Sequence, residues 1–341
     1  MTVFPKLLLL LLLGTVVTCA AAEAPAPYQP AQTVSGVLRL AGNPEMNALV
    51  QRWSDGFRKY HPAVRLEPHL TGSDTGMAAL YTSKAEIAFL GRAPTASEIQ
   101  AFEWIFHYKP VQVEIMTGSL DRAGKSPALV VFVHRENPLG QLSLAQLDAI
   151  FGTEHRFMAD VIRTWGQLGL TGKWADKPIN LYAPDAMSGT GRFFRHVVLN
   201  DSRMMNWAHL TEFSDTPGAG AETHDAGRKI VAALAQDRFG LAIASLGFAN
   251  GQVRPLALRV TDTSTPVAAT RENLIMRVYP LTRCVTACYN RKPGAEPDPL
   301  VREFLRYILS REGQQGVVED DGYLPLAAGD VRGSITPDQR G

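Results

Sequence analysis

Ser188, Gly189, Thr190 and Gly191 place two hydroxyls and two glycines between a Pro184-Asp185 turn and the helical spacing of Phe193, Phe194, Val197 and Val198. Residues 177–182 before the turn read as a short strand. The four residues therefore stand where a strand hands over to a helix. Ser188 suits an N-cap, and the glycines let backbone approach a ligand. The first amides of a helix lack an intrahelical partner and carry partial positive charge. Such an end attracts an oxyanion. Nucleophilic chemistry at Ser188 is disfavoured, because Ala186 occupies the place where a nucleophile elbow needs glycine. The eight histidines show no metal-binding spacing, and no cofactor is expected.

Three further loops have the same form. Residues 36–42 are a strand, followed by Asn43 as a cap and Pro44 at the first helical position. Residues 64–70 are a second strand that runs into Thr71-Gly72-Ser73-Asp74-Thr75-Gly76 and a helix. Residues 85–90 are a third, leading to Gly91-Arg92-Ala93-Pro94-Thr95, where Thr95 and Glu98 form a capping box. Strand, glycine-bearing loop and helix, repeated, argue an α/β fold with mainly parallel sheets. Ligands of such sheets sit beyond the carboxyl ends of the strands. The loops at 42–44, 71–76 and 91–95 thus converge on one edge with residues 188–191, which makes Asn43 and the hydroxyls and amides of these loops candidates for a ligand site.

Composition sets outer bounds. At 341 residues, with 45% hydrophobic and 20% charged, the chain fits two ordinary globular domains. Loss of Lys6 with a cleaved leader leaves 33 basic against 33 acidic residues. A nucleic-acid partner is therefore not expected, and an anion must be held by local dipoles and a few side chains. Residues 1–22 read as a signal peptide: Lys6, the apolar run 7–13, and Ala20-Ala21-Ala22 before Glu23. Cys19 follows Val16-Val17-Thr18, a poor lipoprotein box, so a lipid anchor there is not expected. Residues 23–35, rich in Pro and Ala, read as a flexible lead-in, and 331–341 as a loose tail. Cys284 and Cys288 are four apart in an alternating segment. That spans about 13 Å in a strand, against the roughly 7 Å a disulfide allows, so two buried free thiols are expected. Trp104, Phe106 and Tyr108 read as packing residues.

Taken in order, these pieces resemble the periplasmic phosphate-binding proteins of ABC importers. The matching segments are Gly72-Ser73-Asp74-Thr75-Gly76, residues 86–92, Trp165-Gly166-Gln167-Leu168-Gly169, Ser188-Gly189-Thr190, residues 240–244, and the pattern from Tyr279-Pro280-Leu281 to Gly322-Tyr323-Leu324-Pro325-Leu326. The resemblance spans residues 36–326. It implies a two-lobed periplasmic-binding-protein fold, each lobe a mixed, mainly parallel sheet flanked by helices, with the ligand cleft between lobes. Lobe I would comprise 36–126 plus 248–330, and lobe II 127–247. It also implies inorganic phosphate or a related oxyanion as ligand, held by Ser73, Asp74 and Thr75 of the first lobe and by Ser188, Gly189 and Thr190 of the second, with ABC permease subunits as partners, a periplasmic location and a monomer. A non-transport sensor, or less readily a hydrolase, are the alternatives. Two positions depart from the family pattern. Pro184 stands where members often have arginine, and Leu90-Gly91-Arg92-Ala93 replaces a loop that often carries an acid. Arg92 is expected to restore the charge, and Asp74 or Asp185 the proton acceptor.

Overall fold

The computed structural model describes residues 25–154, 160–216 and 224–327. The leader, Cys19 and the 331–341 tail lie outside them.

The first lobe begins with β1 (Gly36–Gly42), then α1 (Asn47–Arg58), β2 (Val64–His69), α2 (Ser73–Tyr81), β3 (Ile87–Leu90), α3 (Ala96–Phe106) and β4 (Val111–Thr117). The second lobe contains β5 (Val130–His134), β6 (Gln141–Ser143), α4 (Leu144–Phe151), β7 (Asn180–Pro184), α5 (Gly189–Leu199), β8 (Leu210–Phe213), α6 (Ala226–Ala235), β9 (Gly240–Ala244), β10 (Val253–Pro255), β11 (Ala257–Arg259) and α7 (Arg271–Ile275). The chain then returns to the first lobe as β12 (Cys284–Tyr289), α8 (Pro299–Ile308) and α9 (Arg311–Val318).

Each lobe is built on one five-stranded mixed sheet, ordered β2-β1-β3-β12-β4 in the first and β10-β5-β9-β7-β8 in the second. The parallel character read from the repeated strand–loop–helix units holds for β2-β1-β3 and for β9-β7-β8. The antiparallel pairings belong to strands beside the crossings: β12 with β3 and β4, and β5 with β9 and β10.

The lobe boundary falls later than residue 248. β10 pairs with β5, β11 pairs with β6, and Leu256, Leu258, Leu274, Tyr279 and Leu281 lie in the second lobe's core. The second lobe therefore runs to about residue 281. Three chain segments are laced together where the lobes meet. Thr117 and Leu324 exchange backbone hydrogen bonds of 2.8 and 2.9 Å, the Gly118 amide donates to the Arg283 carbonyl at 2.8 Å, and the Leu129 amide donates to the Leu281 carbonyl at 3.1 Å.

The lead-in is packed where it is described, contrary to the flexible reading of its Pro and Ala content. Tyr28 is buried against Phe57, Tyr60 and Tyr307. Its hydroxyl lies 2.8 Å from His61 Nε2 and donates to Glu303 Oε2 at 2.9 Å. One aromatic side chain with a polar tip satisfied indoors is enough to fix the segment. The core beneath it joins Trp53, Phe57, Phe89 and Phe304, and the Trp53 indole donates to the Gly313 carbonyl at 2.9 Å. Phe106 of α3 and Tyr108 just beyond it pack around Phe102, while Trp104 is exposed.

Cys284 and Cys288 are not bonded to each other. Cys288 is buried as expected. Cys284 is only half-buried, with its sulfur 2.8 Å from Arg277 Nη1. Burial pushes the Cys288 thiol up to about 12. Since the thiolate is the nucleophile, iodoacetamide at pH 8 should label Cys284 well before Cys288 in the folded protein. Peptide mapping that finds equal labelling would contradict this packing of β12.

Candidate functional site

α5 starts as its sequence dictates. The Ser188 hydroxyl donates to the Asp185 carbonyl at 2.6 Å and accepts from the Gly191 amide at 3.0 Å. The cap thus occupies the side chain, leaving the Gly189 and Thr190 amides as the first donors of the helix, with no carbonyl one turn back within it. The two glycines differ. A side chain on Gly189 would meet nothing within 4 Å, so this face is open. One on Gly191 would strike the Asp185 carbonyl, so here glycine serves the turn itself.

The first lobe meets this helix end with its own loops. Gly42 turns at φ +129°, where a side chain would collide with the Phe89 carbonyl, and Asn43 follows, buried. The Asn43 side chain accepts from the Glu45 amide at 3.0 Å. The Ser73 hydroxyl accepts from the Gly91 amide at 3.2 Å. A β-carbon on Gly91 would lie 3.1 Å from Asn43 Nδ2 and would overlap the Ser126 hydroxyl. Asn43, Ser73, Gly91 and Ser126 therefore surround one point.

Arg283 reaches that point from the crossing between lobes. It is buried. Its Nη2 donates to the Gly91 carbonyl at 2.8 Å, and its Nη1 lies 3.4 Å from the Thr190 hydroxyl across the cleft. The guanidinium carbon sits 5.5 Å from the centre of the Phe193 ring on α5. The Nε has no hydrogen-bond partner among the described residues. Burial pulls the Arg283 pKa down to about 10, with Arg92 lowering it further and Tyr323 opposing, so the group stays charged near pH 7. Nothing in its own segment marked Arg283 as a site residue. It sits one position before an alternating strand, and its isolation is a property of the folded neighbourhood.

Arg92 is placed otherwise than expected. It donates to both oxygens of Glu98 at 2.8 Å and to Asp74 Oδ1 at 2.5 Å. Burial would lower its pKa, but Glu98 and Asp74 outweigh burial and hold it raised. Its charge is spent on these two carboxylates. Asp74 also lies 3.4 Å from Arg192 of α5, which ties the lobes together. Thr75 turns its hydroxyl into its own loop, donating to the Gly72 carbonyl at 2.8 Å. Asp185 accepts from the Met187 amide at 2.7 Å and from the Ser214 hydroxyl at 3.0 Å. The Glu45 carboxylate faces His224 of the second lobe at 3.5 Å. Of the sequence candidates, Asn43, Ser73 and Thr190 stand around Gly91 and Arg283. Ser188 and Gly189 shape the helix end beside them. Asp74 and Arg92 form a supporting ion network, and Thr75 stays in its loop.

Residues 27–312 match the family model of the PBP superfamily domain. The phosphate-binding protein PstS of Pseudomonas aeruginosa is 32% identical over 304 residues, which is 88% of this chain and 86% of that protein. This chain belongs to the PBP superfamily, in the family of PstS. Protein SphX of Synechococcus elongatus is 22% identical over 89% of the chain and 81% of its own length. Among solved structures, PstS from Borrelia burgdorferi superposes with a TM-score of 0.58 at 16% identity, covering 86% of this chain and 99% of that one. An ABC-type phosphate transport receptor from Vibrio cholerae gives 0.54 at 18% identity, covering 84% and 100%. These two share the two-lobed fold of this PBP superfamily member.

Proposed function

We propose that this chain is an exported binding protein that captures inorganic phosphate between its lobes and delivers it to an ABC importer, without turning it over. The observation that carries the reading is the interlobe bridge of Thr190, Arg283 and Gly91. It sets one buried cation and the open amides of α5 against Ser73, Asn43 and Ser126 of the other lobe. Hydrogen bonds to an ionised oxygen are short and strong, and donors from two lobes can close on one anion by a hinge motion. The 32% identity to PstS supports phosphate as the ligand and an importer as the destination. The leader at 1–22 supports export to the periplasm, with the mature protein acting as a monomer.

Calorimetry of the mature protein should give phosphate binding at micromolar Kd or tighter, which is about −8 kcal/mol, with no hydrolysis of phosphate esters. Absence of heat at millimolar phosphate would end this reading. Ser188→Ala removes the cap that fixes the first amides of α5 and should cost about 1 kcal/mol of stability. It should also weaken phosphate several-fold. Thr75→Ala should weaken it less, because the Thr75 hydroxyl is bound within its own loop. The reverse ranking of Ser188→Ala and Thr75→Ala would place α2, not α5, at the anion.

A further inference from the structure

Residues 25–34 lie against the first lobe ahead of its first strand, and groups beyond α1, on α8 and on α9 hold them. The Tyr28 amide donates to Glu312 Oε2 at 2.7 Å, and the Ala31 amide donates to Glu303 Oε2 at 3.2 Å. The Arg311 amide donates to the Ala26 carbonyl at 2.9 Å. At the centre is a chain of three hydrogen bonds that can run in one direction only. The Val34 amide can only donate, so His61 Nδ1, 3.4 Å away, accepts. The proton of the neutral ring then sits on Nε2 and is donated to the Tyr28 oxygen, 2.8 Å away. Tyr28 in turn donates to Glu303 Oε2 at 2.9 Å. All three side chains are buried.

A second proton on His61 has one place to go, Nδ1, and there it would meet the Val34 N–H donor to donor. The first link of the chain then fails. The ring is packed 4.6 Å from the Phe57 ring, centre to centre, so it gains no water in exchange. The other titratable or charged groups of this nest are Tyr60, Glu303, Arg306, Tyr307 and Glu312, with Arg306 Nε 3.8 Å from Glu303 Oε1. Burial lowers the His61 pKa, and Glu303 opposes this without reversing it. With the segment detached, His61 takes the ordinary value of about 6.5. The chain is therefore at full strength above that value, and it weakens as the pH falls below it.

We infer that residues 25–34 form a detachable clasp, released when His61 takes a second proton while the body of the lobe stays folded. Release uncovers the aromatic face of Phe57, Tyr60 and Tyr307 on which Tyr28 rests. Hydrogen exchange of the mature protein, read by mass spectrometry at pH 7.5 and pH 5 with intrinsic rates divided out, tests it. Protection of peptides covering 25–34 should fall roughly tenfold at pH 5, within the about thirtyfold that 1.5 pH units below the ordinary histidine value allow. Peptides of β1 and β3 should keep theirs, because local opening leaves the core strands closed. His61→Gln, neutral at both pH values, should show no such fall. Tyr28→Phe keeps the ring and cuts the chain, so its clasp should be poorly protected at both. A parent without pH dependence overturns the inference. So does a tenfold fall that persists in His61→Gln, which would assign the acid response to Glu303 or Glu312. An equal loss in β1 overturns it as well, since the lobe would then be unfolding as a whole. Should His61→Gln not fold, Tyr28→Phe decides: protection equal to the parent's at pH 7.5 would mean that the ring alone holds the segment, against the inference.

Discussion

Gly191→Val should abolish phosphate binding and lower stability by about 3 kcal/mol, the upper part of the usual range for overpacking. The obstacle is backbone. A β-carbon there would overlap the Asp185 carbonyl and come within 2.8 Å of the Ala186 Cα. Neither atom belongs to a flexible side chain that could turn aside. The amino end of α5 must then lift away from β7, breaking the bond between the Gly191 amide and the Ser188 hydroxyl. The helix amides and Thr190 would leave the cleft together. Gly189→Ala is the internal control, since a β-carbon at 189 meets nothing within 4 Å. It should stay within about 0.5 kcal/mol of the parent, as surface substitutions usually do. Urea denaturation and phosphate calorimetry on both variants check the pair. Equal stability of Gly191→Val and Gly189→Ala would mean that the turn into α5 is not built as described.

Arg92→Ala is the second large effect, and it should appear first as instability. Arg92 is 5% exposed and joins Glu98, at 16%, to Asp74, at 71%. Removing one member of a mostly buried pair leaves an uncompensated charge, which costs about 3 kcal/mol. The exposed Asp74 contact adds little of this, as surface pairs do. Glu98 is the sensitive partner, because it also accepts from the Thr95 amide at 2.7 Å and so anchors the start of α3. Combining Arg92→Ala with Glu98→Gln should recover part of the loss, the non-additivity expected of residues in one network. Denaturation midpoints of the single and double variants measure it. An Arg92→Ala protein as stable as the parent but unable to bind phosphate would instead return Arg92 to the anion.

What could be read from the chain was local. Ser188 as a cap, the Thr95–Glu98 box and the handover from strand to helix at 184–189 all follow from a few adjacent residues, and all are present. So is the sequence of strands and helices that formed the first half of lobe I. The start of the second lobe's first helix and the lobe boundary depend on distant partners. Leu142 and Ser143 directly precede α4 but belong to β6, because β11 pairs with them from more than a hundred residues later. The boundary at 248 failed for the same reason, since β10 has only three residues and is fixed by β5. Pro and Ala outvoted Tyr28 in the lead-in, though Tyr28 was the informative residue. β4 was legible and overlooked: Val111, Val113 and Ile115 alternate with Gln112 and Glu114. Arg92 and Arg283 looked alike as residue types. Only the fold gives one two carboxylates and the other none.

The position of β12 has a consequence for how the molecule comes to exist. It is an interior strand, wedged between β3 and β4, whose residues were made long before it. Until residues 284–289 are available, the first lobe is a split sheet with two raw edges, and such edges invite pairing with other chains. The second lobe, a contiguous stretch, can gather most of its core meanwhile, with Leu324 still to join it. Assembly is therefore ordered from the inside of the sequence outward, and the slow event is the late insertion that depends on contacts of high sequence separation. A chain halted just short of Cys284 would retain a folded middle and an unfinished, adhesive beginning.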